Sequence, residues 1–207
     1  MAEQNAPRNR GAELRCKKRV TSIESAGERM YFFSKYESPL GWLTLASDGE
    51  ALCGLWIEGQ KHFGHLMVDD AVRDQCAMPF PDCREWLDAY FAGANPPLGV
   101  FPLAAQGTDF QMAVWQCLCE IPYGQVVSYG EIAKEIASRQ GKERGSALAV
   151  GGAVGHNPIS IIIPCHRVVG ADGSLTGYAG GLERKEWLLR HEGVDMSRLH
   201  MPKADAK

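Results

Sequence analysis

The chain has 207 residues, of which 45% are hydrophobic and 23% charged, and its formal net charge is −3. This composition is typical of a globular protein of one or two domains, and no apolar run reaches the ~20 residues of a membrane span. The seven cysteines have no framework spacing, which favours free thiols and a cytoplasmic location.

Charge is distributed unevenly along the chain. Residues 1–29 carry seven Lys and Arg against four Asp and Glu and lack apolar periodicity, which predicts a disordered basic extension. A leader from a distant start codon and a basic tail that tethers the chain to DNA are the alternatives. Residues 30–123 carry four basic against twelve acidic residues, and residues 124–207 carry eleven against nine. Nucleic-acid binding therefore cannot be argued from charge alone.

The pattern from residue 30 to residue 98 predicts a small β-rich domain. Strands are expected at 31–33, 43–46 and 51–57, with turn residues between them. Apolar residues at helical spacing then predict a helix over 83–92. Residues 99–107 are expected to form a linker.

Helices are predicted beyond the linker, in a domain spanning residues 108–195. Thr108 is a cap for a helix over 110–120, and Ser128-x-x-Glu131 is a capping box that opens a second helix. A final helix is expected over 182–191, with Trp187, Leu188 and Leu189 buried, and residues 196–207 are expected to form a flexible tail. The predicted fold class is α/β (α+β), with a small N-terminal sheet domain and a mainly helical C-terminal domain.

The third helical segment, 146–155, is almost free of bulky side chains. With the second helix it could form a helix-turn-helix, although generic helical packing fits the spacing equally well. Its glycines cost helix stability, so something must approach the backbone closely. Either a packed neighbour or a nucleic-acid backbone could make this close approach.

The run Ile159–Ile163 is β-branched and apolar, which predicts a buried strand that ends at Pro164. Cys165 would then project from the strand tip. His166 would point to the opposite face, so the two would need an irregular turn or a bridging water, and Glu192 is the candidate carboxylate to orient the imidazole. A buried thiol beside a surface imidazole is the alternative without chemistry. A thiol hydrolase is disfavoured because no distant His/Asn pair is marked.

A zinc site is a weaker possibility. His62 and His65 with Cys53, Cys76 and Cys83 could be assembled into one, but no pair has C-x-x-C spacing. Structural thiols and exposed histidines are the preferred interpretation, and no metal or cofactor is predicted. No phosphate loop or dinucleotide fingerprint is present either.

At Pro164-Cys165-His166-Arg167-Val168 the sequence resembles the O6-alkylguanine-DNA alkyltransferases, most closely the stand-alone bacterial type. The blocks that support the resemblance are Gly151-Gly152-Ala153, Asn157-Pro158, Gly177-Tyr178-Ala179-Gly180-Gly181, Lys185-Glu186-Trp187-Leu188-Leu189 and His191-Glu192-Gly193. It covers roughly residues 30–195. The resemblance implies an RNase H-like N-terminal domain and a monomeric DNA-repair protein that moves an alkyl group from O6-alkylguanine, and from O4-alkylthymine, to its own cysteine once per molecule.

The resemblance also implies a role for each matching residue. Cys165 would accept the alkyl group, activated through a water by His166, with Glu192 behind it and Asn157 bracing the turn. Backbone groups of Cys165 and Val168 would read the guanine amino group, while the Ala179 amide would face O6. The two tyrosines would act at the flipped base, Tyr129 as a proton donor that also crowds the 3′ phosphate and Tyr178 as a pocket wall.

Double-stranded DNA would bind through its minor groove, with the base flipped out. The small residues Ala147, Ala149, Gly151 and Gly152 would let the helix lie in a groove roughly 6 Å wide. Leu148 stands where the family usually has an arginine that fills the gap left by the base, and Arg144 is one helical turn away. An alkyl-base sensor without chemistry is the second hypothesis, disfavoured because such relatives lack the cysteine.

Overall fold

A computed structural model describes residues 30–64 and 71–202. The predicted basic extension, His65 of the zinc hypothesis and residues 203–207 lie outside the described residues.

The N-terminal part is an antiparallel sheet with one parallel edge strand, packed on a helix. The strands are β1 (Phe32–Ser38), β2 (Gly41–Ser47), β3 (Leu52–Ile57) and β4 (Val72–Arg73), in the order β3-β2-β1-β4, and the helix is α1 (Phe80–Phe91). β1, β2 and β3 pair as successive hairpins, as the turn chemistry of the sequence predicts. β3 is buried along its whole length.

The C-terminal part is mainly helical. Its elements are α2 (Asp109–Cys119), β5 (Val127–Ser128), α3 (Tyr129–Arg139), α4 (Ala147–Gly155), β6 (Val168–Val169) and α5 (Leu182–His191). Thr108 with Gln111, and Ser128 with Glu131, form reciprocal capping boxes at the first turns of α2 and α3, which confirms both predicted helix starts. The α/β fold class is also confirmed.

The free edge of β3 joins the two parts. On that edge Leu52 pairs with Leu103 of the predicted linker, and Leu55 pairs with Ile159 just before the cysteine. The Leu55 amide donates to the Pro158 carbonyl over 2.9 Å, and the Ser160 amide donates to the Leu55 carbonyl over 2.8 Å. One hydrophobic cluster runs through both parts. The sheet edge therefore positions the segment that leads to Cys165.

Three smaller findings bear on the sequence predictions. Free thiols are found on four cysteines of the described residues, Cys83, Cys117, Cys119 and Cys165, but Cys76 is disulfide-bonded, so the prediction of free thiols fails there. Residues 196–198 of the predicted tail form a 3-10 turn, and His200 pairs with Ser174. No helix among the described residues is long and apolar enough to span a bilayer.

Candidate active site

The predicted strand over Ile159–Ile163 is wrong. Only Ile159 joins a β-bridge, and the chain then turns, with Ile161 at a φ of 71° in the left-handed region. These isoleucines are buried on all sides, and enclosure of that kind selects apolar β-branched residues as strongly as a sheet does. Sequence periodicity cannot separate the two over so short a run.

The side chain of Asn157 holds this turn. Its Nδ2 donates to the carbonyls of Ile163 over 2.8 Å and Ile159 over 3.3 Å, and its Oδ1 accepts from the Ile159 amide over 3.0 Å. A buried amide therefore supplies the bonds that a ladder would give to a strand. Such a turn keeps an isoleucine in a strained conformation and directs the chain into a short 3-10 helix, Cys165–Arg167.

Cys165 lies at the start of that 3-10 helix and is almost completely buried. Burial raises the pKa of its thiol, while a hydrogen bond from the Asn157 side chain and the charge of Lys185 act in the opposite direction. The raised pKa means that the resting group is the thiol. A base is therefore needed before this sulfur can act as a nucleophile.

His166 is the adjacent base, and it is fully buried. The alternative of a surface imidazole is therefore wrong. Its Nε2 lies 2.7 Å from Oε1 of Glu192, the residue that ends α5. Burial lowers the pKa of His166 despite the opposing effect of the carboxylate, so the resting imidazole is neutral.

Glu192 is held as a buried carboxylate. Burial alone would raise its pKa, but the hydrogen bonds that it accepts from His166 and Arg167, with the charge of Arg167, outweigh this and keep the pKa well below its usual value. The groups that donate to its two oxygens are the Tyr90 hydroxyl (2.8 Å), Nε2 of His166, Nε and Nη2 of Arg167 (2.8 and 3.0 Å) and the Gly124 amide (3.4 Å).

This donor set fixes the tautomer of His166. Because Glu192 is ionised and can only accept, Nε2 must carry the imidazole proton. Nδ1 is then the basic nitrogen. It is buried and has no hydrogen-bond partner among the described residues. The site therefore presents one unpaired base beside a buried thiol.

Lys185 is a second charge in the same interior. Its ammonium is fully buried and donates to the carbonyls of Val168 and Thr176, each over 2.5 Å. Burial lowers its pKa to about 8, and a charge on Cys165 acts to raise it. No ion pair of Lys185 occurs within the described residues. Since Arg167 and Glu192 cancel each other, Lys185 is the uncompensated positive charge near the thiol.

Two tyrosines stand beside the same thiol. The Tyr129 hydroxyl donates to the Thr176 carbonyl over 2.8 Å, and burial with the nearby Cys165 raises its pKa to about 12, so the phenol keeps its proton. Tyr178 is buried, and its hydroxyl has no hydrogen-bond partner among the described residues. Gly177 makes this arrangement possible: its φ is 72°, and a Cβ there would lie 2.3 Å from the Tyr129 oxygen.

The helix α4 has two unlike faces. Val150, Ala153 and Val154 are buried, and Trp115 donates to the Ala153 carbonyl over 2.9 Å. On the other face Ala147, Leu148, Ala149 and Gly152 are exposed, Leu148 to 88%. Arg144 is exposed ahead of the helix.

The glycines of α4 are not filled by protein. A Cβ on Gly152 would meet no described atom within 4 Å, and one on Gly151 would make an ordinary 3.8 Å contact with Tyr129. Of the two explanations for these glycines, a packed neighbour is therefore wrong for Gly152. The remaining explanation for Gly152 is a partner from outside the chain.

A cavity of about 490 Å³ opens beside this helix. It is lined by the glycine side of α4, the loop after Thr176 and two residues of the N-terminal part. Ala179 lines this cavity, and its carbonyl accepts from the Lys61 amide over 3.0 Å. Val168 is not among the lining residues, and its carbonyl accepts from Lys185. The lining residues are Lys61, His62, Gly151, Gly155, Gly177, Tyr178, Ala179, Gly181 and Leu182.

Sequence reasoning gave no role to Arg167, Lys185 or Tyr90. Lys185 carried a usable signal, because it lies three, four and seven residues before Leu188, Leu189 and Glu192, which is one face of a helix. That face is buried, whereas Trp187, expected to be buried, is only partly so. Tyr90 carried no signal, since 102 residues separate it from Glu192.

The zinc hypothesis finds no support in the described residues. Among them no group of three His, Cys, Asp or Glu side chains could hold a metal ion. His65 lies outside the described part, and the His62 ring stacks on His156 at a centroid distance of 4.1 Å.

Two family models match the chain. The DNA-binding domain of 6-O-methylguanine DNA methyltransferase matches residues 109–194, and the ribonuclease-like domain of 6-O-methylguanine DNA methyltransferase matches residues 31–105. Together they cover residues 31–194 except for 106–108.

Curated and solved relatives agree with these matches. A methylated-DNA–protein-cysteine methyltransferase of Methanosarcina acetivorans is 44% identical over 78% of this chain and 98% of its own length, and one of Mycobacterium tuberculosis is 45% identical over 79% and 93%. The crystal structure of Mycobacterium tuberculosis OGT in complex with DNA is 45% identical with a TM-score of 0.67, covering 82% of this chain and 94% of that one.

Proposed function

Because the chain belongs to the O6-methylguanine DNA methyltransferase family, we propose that Cys165 takes the alkyl group directly from O6-alkylguanine in DNA and is spent after one transfer. The protein is a DNA-binding repair enzyme, a methylated-DNA–protein-cysteine methyltransferase. We propose Cys165 as the acceptor, specific roles for the residues around it, and a mode of DNA binding.

The observation that carries the proposal is the unpaired Nδ1 of His166 beside a buried thiol. Glu192 holds Nε2 in its protonated form, so only Nδ1 can accept the proton of Cys165, directly or through a water. The product is a thiolate and an imidazolium. The charge of Glu192 stabilises the imidazolium, and Lys185 stabilises the thiolate.

The transfer is a displacement at carbon. The Cys165 sulfur forms a bond to the alkyl carbon, the bond from that carbon to guanine O6 breaks, and its electron pair stays on the base. A proton must reach the departing guanine, and in the proposal the Tyr129 phenol, which keeps its proton near the thiol, supplies it. The thioether product has no ready leaving group, so each molecule acts once. The same displacement at O4-alkylthymine is part of the proposal.

The burial of the site favours an extrahelical base over a base within the duplex. Tyr178 and Val168 lie deep in the fold, as does Cys165, so a nucleotide must rotate out of the stack to reach the thiol. Such extrusion costs about a few kcal/mol and least where pairing is already disturbed. In the proposal the Val168 carbonyl, which also accepts from Lys185, and the Ala179 amide read the flipped base, and alkylated guanine is favoured for this reason.

The exposed face of α4 supports binding in the minor groove. Only a helix nearly without side chains fits a groove roughly 6 Å wide, and nothing in the described structure fills the space over Gly152. Leu148 on this face is the most exposed large hydrophobic residue of the described chain, and an apolar wedge at such a position can hold a base step open. A monomeric state is part of the same proposal. A cytoplasmic location belongs to the same proposal, since most of the described cysteines are free thiols.

Mass spectrometry of the Cys165 peptide tests the proposal. After incubation with excess duplex DNA that contains O6-methylguanine, this peptide should gain one methyl group, and the reaction should stop at one methyl per active molecule. Cys119→Ser removes a half-buried thiol outside the site and should leave the result unchanged. Lesion binding without modification would favour the sensor hypothesis, and continued turnover would contradict the single transfer.

A further inference from the structure

We propose that residues 60–63, the segment after β3, form a second DNA-contacting element, in which Lys61 and His62 bind the backbone of the strand that carries the damaged nucleotide. The inference rests on the proposed function, because it takes α4 as the helix that enters the groove. It places part of the DNA interface within residues 30–123, which carry four basic against twelve acidic residues.

The segment is fixed to the active-site loops at two points. Oε1 of Gln60 accepts from the Ile57 amide over 2.8 Å and from the Ser160 hydroxyl over 3.1 Å, and Gln60 is buried. One residue later, the Lys61 amide donates to the Ala179 carbonyl over 3.0 Å. The position of Lys61 relative to the reacting base is therefore set by backbone and buried contacts.

His62 links the same segment to α4. Its φ of 59° lies in the left-handed region, and its ring stacks on the ring of His156 with 30° between the planes. His156 ends α4, and its Nδ1 lies 2.8 Å from the Gly152 carbonyl. The exposed face of α4 thus continues into two imidazoles, whose ring N–H groups suit a phosphate.

The cavity between these elements has the charge that a phosphate requires. Lys61 and His62 line it together with glycines of α4 and of the loop after Thr176, and no acidic side chain of the described chain is among its lining residues. Residues 30–123 carry only four basic side chains. Two are engaged elsewhere: Lys35 is near Glu58, and Arg84 donates to the Ser34 hydroxyl. Lys61 is exposed at the cavity.

A phosphate contact has a distinctive signature. Each neutralised phosphate releases counterions and adds about −0.9 to the slope of log affinity against log salt. Lys61→Ala should therefore weaken binding to a lesion-containing duplex and reduce that slope by about 0.9. Transfer from free O6-methylguanine base should not change, because the base has no phosphate. His62→Ala should also weaken duplex binding without changing transfer from the free base.

Arg73→Ala is the matched control. It removes one positive charge from the same half of the chain, at an exposed position on β4 away from the cavity, and should leave the salt slope unchanged. The inference would be overturned if Lys61→Ala and wild type had the same slope of log affinity against log salt. It would also be overturned if Lys61→Ala and Arg73→Ala lost the same amount of duplex affinity. Loss of transfer from the free base in Lys61→Ala would overturn it as well. Failure of the wild-type protein to alkylate Cys165 would instead refute the proposed function.

Discussion

Two neighbouring regions of this protein differ in whether their groups already have partners within the chain. Around Glu192 the buried relay (His166, Arg167, Lys185 and Glu192) is closed to solvent, and nearly every polar atom has a partner. The exposed face of α4 carries Leu148 and Gly152, and the space above Gly152 is not occupied by any described atom.

The difference reflects when each region acquires its partners. Charges in the relay must already be oriented before a base arrives, because a low-dielectric site has no water to orient them. The α4 face acquires its partner only on binding, so the protein leaves its surface without contacts. Changes in the relay should therefore reduce stability and chemistry together, whereas changes on α4 should slow or speed the reaction with duplex DNA without reducing stability.

The largest effect is expected from Arg167→Met. This change removes donors to both oxygens of Glu192 and to the Ile121 carbonyl, and it leaves a buried carboxylate without its cation. Loss of one partner of a buried ion pair costs about 3–5 kcal/mol. The free energy of unfolding, measured by urea denaturation, should fall by that amount.

Arg190→Met provides the comparison for Arg167→Met. Arg190 pairs with Glu186 one turn earlier on the exposed side of α5, where such a pair contributes about 0.3–0.5 kcal/mol. Equal effects of the two substitutions would contradict the picture of a buried relay that is stabilised by its pairing.

A smaller effect, on rate, is expected from Lys185→Met. The ammonium lowers the pKa of the Cys165 thiol against the larger opposing effect of burial. Without it the thiol pKa rises further, so the inflection of the single-turnover rate should move to higher pH, and transfer at neutral pH should slow by about tenfold, which corresponds to ~1.4 kcal/mol. Lys142→Met changes an exposed lysine and should leave the profile unchanged. A slower rate with an unmoved inflection would mean that Lys185 only positions the two carbonyls.

Gly152→Leu should separate the two regions. Leu has a higher helix propensity than Gly by about 0.5–1 kcal/mol, and no described atom obstructs a side chain there, so the melting temperature should rise slightly. Transfer from duplex DNA should slow while transfer from the free base does not. Gly54→Ala is the opposite case, because the added Cβ would lie 2.0 Å from Trp56. This variant should be less stable, and it should not slow transfer from duplex DNA relative to transfer from the free base. Unchanged duplex transfer in Gly152→Leu would exclude α4 from the groove.

The smallest effect is expected from Leu148→Arg. A guanidinium at this exposed position could hydrogen-bond to the base left unpaired by flipping, which Leu148 cannot do. The transfer rate on duplex DNA should rise several-fold, and the rate on the free base should stay the same. Leu148→Gln, which lacks the charge, should give a smaller gain. Equal changes on both substrates would refute the wedge role.

Much of the fold and part of the candidate site could be predicted from the sequence. The helix starts at Thr108 and Ser128 were predictable because a capping box is a local pattern within four residues. The hairpins of the sheet were predictable for the same reason. The five-residue motif around Cys165 and the small residues of α4 needed no tertiary information, since each is a contiguous block.

Tertiary structure alone decided which of these groups act on one another. Periodicity tells which face of an element is buried but not what covers it, so the contact of Tyr90 with Glu192 could not be predicted across 102 residues. For the same reason a buried isoleucine run looked like a strand, although it is a turn held by Asn157. The junction of Lys61 with Ala179 likewise exists only because the free edge of β3 docks on the active-site turn.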